Sequence, residues 1–259
     1  MAAHRKKRHS TAGASLAWTG QARVATGLAL FTGSIGDHRV HAHPAIQLVV
    51  PAAPTQFKAQ IAGETVASVA GVLIGSQVAH RLGPGTAALI YVEAASDAGR
   101  ALGQAYRAPW HVLPETIVRR LRSLLTRPEA LGLAELLTAL EVGVQTTRVD
   151  VRASAHRVEA VLDRCAGRLE SSVPARALAA EALLSERQFS VAVRSIRGMP
   201  LRPYLRWLRL EHAVKALGRG ESATRAAQSA GFADAAHFTR TLQRHFGVSP
   251  RTLAPLLRR

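Results

Sequence analysis

Two sets of residues have the types and spacing to do chemistry. In His41-Ala-His43 two imidazoles stand two residues apart, which on a strand places both on one face. Gln47 has the same parity, and His80 falls on a later strand. Together these four side chains could converge on a divalent metal inside a small barrel, because neutral imidazole ligates the later first-row metals well. The same residues could instead line an effector pocket or satisfy one another in a core. His38 reads as exposed and without a role. The second set lies downstream, on two amphipathic segments. With Phe189, Val193 and Ile196 inward, Arg187, Ser190, Val191, Arg194 and Arg197 point out. With Phe238, Leu242 and Phe246 inward, the outer face takes Ala235, Ala236, His237, Thr239, Arg240, Gln243 and Arg244. Arginine can chelate a guanine edge, and alanine or valine can touch a thymine methyl.

The elements that must hold these residues differ along the chain. From about Ser15 to Ala95 short apolar runs (Arg23–Phe31, His38–Val50, Thr65–Ile74, Ala87–Val92) alternate with Gly and Pro turn signals, which predicts a sandwich or barrel. Past Ser96 the period becomes helical. Leu113, Ile117, Leu121, Leu124 and Leu125 form one stripe, and Leu133, Leu136, Leu137, Leu140 and Val144 a second. Thr126-Arg-Pro-Glu129 between them reads as a capping box. This helical hairpin either packs on the β domain or forms a dimer interface. Gln145–Val151 reads as a linker, and helices are expected over about 152–170, 174–182, 186–197, 201–217, 222–230, 234–246 and 250–257. Ser185-Glu-Arg-Gln188 is a further capping box, and Gly231-Phe232 a tight turn. Two units of short helix, turn and longer helix follow, joined by a helix of about 17 residues, roughly 25 Å. That length is of the order of the ~34 Å DNA repeat.

Charge separates the same regions. The 259 residues carry 34 Lys and Arg against 17 Asp and Glu, a net charge of +17. Residues 1–8 contribute +4 and residues 9–150 only +2, whereas residues 151–259 contribute +11. A spread of cations over structured sequence suits a folded phosphate-facing surface. No apolar run reaches the ~18 residues of a membrane helix, and the basic start lacks the apolar stretch of a secretory signal. The single cysteine, Cys165, forms no internal disulfide, in keeping with a reducing cytoplasm.

The segment Gly231-Phe-Ala-Asp-Ala-Ala-His-Phe-Thr-Arg-Thr-Leu-Gln-Arg-His-Phe-Gly-Val-Ser-Pro250 resembles the signature of AraC/XylS-type transcription regulators. Trp207-Leu-Arg-Leu-Glu-His-Ala213 resembles that family's linker helix; in the first unit Val193 stands where the family has Phe. The resemblance covers residues 155–257. It implies two helix-turn-helix units on one DNA face. Matching positions imply Arg187, Ser190, Val191 and Arg194 in the first reading helix and Ala235, Ala236, Thr239 and Arg240 in the second, with Arg244 added from the outer face. His41, His43, Gln47 and His80 resemble the cupin metal pattern found in many sensor domains of such regulators. Here Gly36 stands one residue closer to His41 than in that pattern, Gln47 replaces its glutamate, and Pro54 stands near an expected glycine.

The expected architecture is therefore α+β. A basic tail (1–14) precedes a cupin-like β-barrel sensor domain (15–95), a helical hairpin and linker (96–150), and an all-α domain with two helix-turn-helix units (151–259). The expected function is sequence-specific regulation of transcription without catalysis, in the cytoplasm. Expected partners are double-stranded DNA, a small-molecule effector or divalent metal, a second copy of the chain and, for an activator, RNA polymerase, with no membrane. The alternative is a metal-dependent cupin enzyme with an accessory helical domain.

Overall fold

The computed structural model describes residues 17–36, 39–143, 152–167, 169 and 174–257. The basic octet, His38, Val144 and the 145–151 linker lie outside the described residues. The chain is α+β. Strands β1 (Thr19–Ala25), β2 (Leu28–Ile35), β3 (Ala45–Pro51), β4 (Lys58–Ile61), β5 (Glu64–Ala67), β6 (Val72–Ile74), β7 (His80–Leu82) and β8 (Gly85–Glu93) come first. Helix α1 (Asp97–Ala105), strand β9 (Trp110–Val112), and helices α2 (Glu115–Leu125) and α3 (Leu133–Ala139) follow. Helices α4 (Arg152–Ala166), α5 (Ala175–Glu181), α6 (Glu186–Arg197), α7 (Leu201–Gly218), α8 (Ala223–Ser229), α9 (Ala235–Phe246) and α10 (Pro250–Leu257) complete the chain.

The strands form two antiparallel sheets, a six-stranded one in the order β1-β2-β8-β3-β6-β9 and a three-stranded one, β5-β4-β7. An isolated bridge between His41 and His80 joins the run into β3 to β7, and so one sheet to the other. β9 pairs with β6, so the larger sheet takes a strand from beyond residue 95, within the stretch expected to be purely helical.

β3 and β8 are apolar almost throughout because both faces of their sheet are covered. Alternation sorts their side chains. Leu48, Ile90 and Val92 face a core completed by α1, α2 and α3 through Leu102, Ile117, Val118, Leu121, Leu136 and Leu137. The hairpin thus packs on the β domain. Its expected capping box does not form. Pro128 holds Arg127 in a non-helical conformation (φ −129°, ψ 72°). The next helix instead begins at Leu133, where the Gly132 N–H donates to the Glu135 carboxylate at 3.1 Å.

The opposite face does not end within the β domain. Ala29, Phe31, Val49, Leu89 and Tyr91 share one continuous core with Trp207, Leu210, Val214, Phe238, Leu242, Phe246 and Leu256 from α7, α9 and α10. The first helix-turn-helix unit has a separate core, built from Val158, Leu162, Leu178, Phe189, Val193 and Tyr204. The two units are therefore mounted differently. One is fused to the sheet, and the other hangs on α4 and α7.

Candidate DNA-reading faces and histidine cluster

In the first unit α5 leads through a turn to α6. Ser185 caps α6 by accepting from the Gln188 N–H at 3.3 Å, and Gln188 Oε1 accepts from the Ser185 N–H at 3.0 Å. This is the expected capping box. Phe189 and Val193 are buried, which leaves Arg187, Ser190, Val191 and Arg194 exposed on the outer face. Arg197 does not join them. It turns back to Asp163 at 3.3 Å and lies over the Tyr204 ring. In the second unit Asp234 caps α9 through the His237 N–H. Ala236, His237, Arg240, Gln243 and Arg244 are exposed, and Ala235 and Thr239 half-buried. The Thr239 hydroxyl donates to the Ala235 carbonyl at 2.7 Å.

The turns differ in a way the sequence explains. Both need a left-handed residue after the first helix. Gly231 takes it in the second unit (φ 73°) and Leu183 in the first (φ 56°), with Leu183 77% exposed. Between the units lies a cleft of about 570 Å³ lined by Arg202, Arg206 and Arg209 of α7 and by His237, Thr241 and Arg244 of α9. Arg209 Nε is buried there and has no hydrogen-bond partner among the described residues. The three α7 arginines follow i, i+4, i+7 spacing, a face that sequence reasoning could have found and did not.

The histidines converge as expected. Rings of His41 and His80 stand 4.5 Å apart, His43 and His80 5.0 Å, and His41 and His43 5.5 Å between centroids. One ligand nitrogen from each lies within 4.8 Å of the others. Nδ1 of His41, His43 and His80 sits on the carbonyls of Arg39 (3.0 Å), Ala45 (3.0 Å) and Val78 (2.8 Å). A neutral ring that donates through Nδ1 keeps its lone pair on Nε2, but His43 has an acceptor at each nitrogen, the Ala45 carbonyl and Gln47 Oε1, and its one proton serves only one of them. Burial lowers the pKa of His43 to about 4 and lowers that of His41, so both are neutral at pH 7. Gln47 joins the cluster indirectly. Its Oε1 lies 3.1 Å from His43 Nε2, and its Nε2 donates to the Tyr91 hydroxyl at 3.3 Å. Burial raises the Tyr91 pKa, so that hydroxyl keeps its proton.

These side chains stand against the second unit. A Cβ on Gly247, the left-handed cap of α9 (φ 70°), would lie 2.5 Å from His41 Nε2. Tyr91 and Phe246 rings meet edge to face at 5.4 Å. Buried His245 and Glu93 approach to 3.9 Å, with burial pushing the imidazole down and the carboxyl up. Trp207 Nε1 donates to the Ala25 carbonyl at 2.6 Å. An apolar seam of Trp18, Phe31, Tyr91, Phe246, Val248 and Leu256 leaves only about 30 Å³ unfilled.

Residues 178–254 match a family model described as a helix-turn-helix domain, of the AraC type. The C-terminal domain is an AraC-type helix-turn-helix domain. The chain that carries this AraC-type domain is a DNA-binding transcription regulator. No curated protein matches the sequence. Among solved structures, ToxT from Vibrio cholerae O395 is 10% identical, with 90% of this chain and 99% of that one covered and a TM-score of 0.47. An AraC-type regulator from Chromobacterium violaceum is 21% identical over 41% of this chain and 96% of that one, with a TM-score of 0.38. The DNA-binding domain of AdpA, solved with a target DNA, is 24% identical over 38% of this chain and 90% of that one, at 0.36. None of the described helices is long and apolar enough to cross a membrane.

Proposed function

We propose that each chain reads two successive major grooves, α6 entering one and α9 the next. Arg187, Ser190, Val191 and Arg194 would meet bases from α6, and Ala235, Ala236, Thr239, Arg240 and Arg244 from α9. The observation that carries this reading is the pair of solvent-facing helices, both opened by capping residues and separated by an arginine-lined cleft. Arg202, Arg206 and Arg209 would hold the phosphate backbone that passes between the grooves, which fixes register without reading sequence. In this reading the basic tail (1–14) precedes a cupin-like sensor domain over 15–95 that holds an effector or metal at His41, His43, Gln47 and His80. The segment 96–150 relays its state, and 151–259 binds DNA. The protein acts in the cytoplasm, without catalysis, as a homodimer, and contacts RNA polymerase where it activates.

Footprinting on a selected site tests the groove assignment. Two protected patches about one helical turn apart are expected. Arg240→Ala should weaken specific binding by about 1–3 kcal/mol and leave random DNA nearly unaffected. Equal affinity for specific and random DNA before and after the change would refute it.

A further inference from the structure

We infer that the β domain itself takes part in holding DNA: Arg100, carried on α1, grips a backbone phosphate at the border of the groove that α6 enters. This rests on the assignment of α6 as a reading helix, and it adds a contact from outside the helix-turn-helix domain.

Local structure fixes where Arg100 stands. Ser96 caps α1 by accepting from the Gly99 N–H at 2.9 Å, and its own hydroxyl donates to the Glu93 carbonyl at 2.6 Å. Gly99 lies so close to the end of β8 that a Cβ there would sit 2.3 Å from the Glu93 carbonyl oxygen. The first turn of α1 is therefore seated directly on the larger sheet. It also meets the first reading helix. A Cβ on Gly198, the left-handed cap of α6, would lie 3.3 Å from both the backbone nitrogen and Oδ2 of Asp97. The negative end of one helix thus adjoins the positive end of another.

This junction gathers positive charge. The Gly198 N–H donates to the Arg194 carbonyl at 2.9 Å, so Arg194 stands one turn back from the contact with Asp97, on the exposed face of α6. Burial, and after it the nearby charge of Arg194, lowers the Arg100 pKa. Asp97 pairs with Arg100, which leaves the three side chains together with one net positive charge. The pairing does not exhaust Arg100. A guanidinium has five N–H donors; Nη1 directs one at the Ala95 carbonyl at 2.6 Å, and Nη2 one at Asp97. The side chain remains 30% exposed. A planar fork with donors to spare matches the oxygens of a phosphate.

The position of α6 decides what that fork meets. A major groove about 12 Å wide is walled by backbone on both sides. A helix that lays Arg187, Ser190, Val191 and Arg194 into the groove brings its flank against phosphate, and α1 is that flank. A phosphate beside Arg100 and Arg194 also offsets the repulsion between the two cations.

The test uses the full-length protein, a selected DNA site and random DNA. Arg100→Gln should weaken binding to both DNAs alike and reduce the slope of log affinity against log salt by about 0.9. The deficit of the variant should therefore narrow about threefold between about 50 and 200 mM salt. Arg100→Lys, which keeps the charge, should keep the slope. Arg120→Gln, which removes an exposed arginine of α2 paired with Glu141, should leave it unchanged. Single neutral methylphosphonates, placed in turn along the half of the site that α6 covers, locate the contact. At one position the wild type should lose affinity and Arg100→Gln lose nothing further. An unchanged slope in Arg100→Gln, an equal loss in Arg100→Lys, an equal effect of Arg120→Gln, or additive losses at every methylphosphonate overturns the inference. If Arg100→Gln behaves as expected while Arg187→Ala and Arg194→Ala leave sequence preference intact, the phosphate contact stands and the reading role of α6 fails. Lost preference in those two variants, with an unchanged slope in Arg100→Gln, leaves α6 as a reader and overturns the contact.

Discussion

Gly247→Ala isolates the contact between the histidine cluster and α9. The substitution has two costs. The residue is left-handed (φ 70°), and a Cβ there costs about 1–2 kcal/mol. The new methyl would also lie 2.5 Å from His41 Nε2 and 3.0–3.1 Å from two ring carbons. That overlap must displace the imidazole from its bond to the Arg39 carbonyl, and overpacking of this kind costs about 1–3 kcal/mol. Gly198 provides the control. It caps α6 at almost the same φ (66°), but its Cβ would meet Asp97 at 3.3–3.4 Å, a contact that a few tenths of an ångström relieves. Gly198→Ala should therefore cost about 1–2 kcal/mol, and Gly247→Ala about 2–5 kcal/mol. Urea unfolding followed by tryptophan fluorescence reports the seam directly, because Trp18 and Trp207 flank it. In a cycle with His41→Ala the excess should vanish, leaving Gly247→Ala near the Gly198→Ala value in that background. A coupling energy under about 0.5 kcal/mol would mean the two residues act independently, and the reasoning from their close approach would be refuted.

Two further outcomes follow from the same geometry. Arg209→Ala should weaken binding to all DNA sequences alike and reduce the slope of log affinity against log salt by about 1; a loss confined to the specific site would place Arg209 on a base. Leu183→Gly should relieve a left-handed, 77% exposed leucine. Set against the added entropy of the unfolded chain, the net is a stabilisation of up to about 1 kcal/mol, read as a higher urea midpoint, and a lower midpoint would show that Leu183 makes packing contributions its exposure conceals.

What was legible in the sequence was what short-range chemistry decides. Ser185 and Gln188 stand three apart and cap α6, and the Phe189/Val193 and Phe238/Leu242 pairs assign the inner faces of both reading helices. Those signals survive because a helix brings i and i+4 together whatever else the chain does. The histidine convergence was legible for a similar reason, strand parity, although it needed the His41–His80 bridge to bring the two segments into register. Thr126-Arg-Pro-Glu129 misled because Pro128 constrains the residue before it more strongly than the capping pattern favours a helix. Arg197 misled because an outward position does not prevent a long side chain from folding back to an acid. The seam was beyond reach. Phe31, Tyr91, Phe246 and Leu256 each look like core residues of their own domain, and nothing local distinguishes a core that stops at a domain edge from one that crosses it.

That crossing decides how a signal at the proposed sensor domain would alter DNA binding. Two reading helices on one chain, as proposed, would bind as a linked pair, so that the second contact forms at an effective concentration set by their mutual placement. Had both units been packed on the sheet, a movement at the sensor would carry them together and leave that placement unchanged. Had neither been, no movement would reach them. The second unit shares its core with β2, β3 and β8, whereas the first has a core of its own, and the two are joined through α7. α7 itself is divided. Trp207, Leu210, Val214 and Leu217 belong to the shared core, whereas Leu201 and Tyr204 belong to the first unit's. A shift at Gly247 would therefore change the position of α9 against a helix whose N-terminal half is anchored to α6. The quantity altered is the distance and angle between the two reading helices, on which simultaneous entry into successive grooves depends.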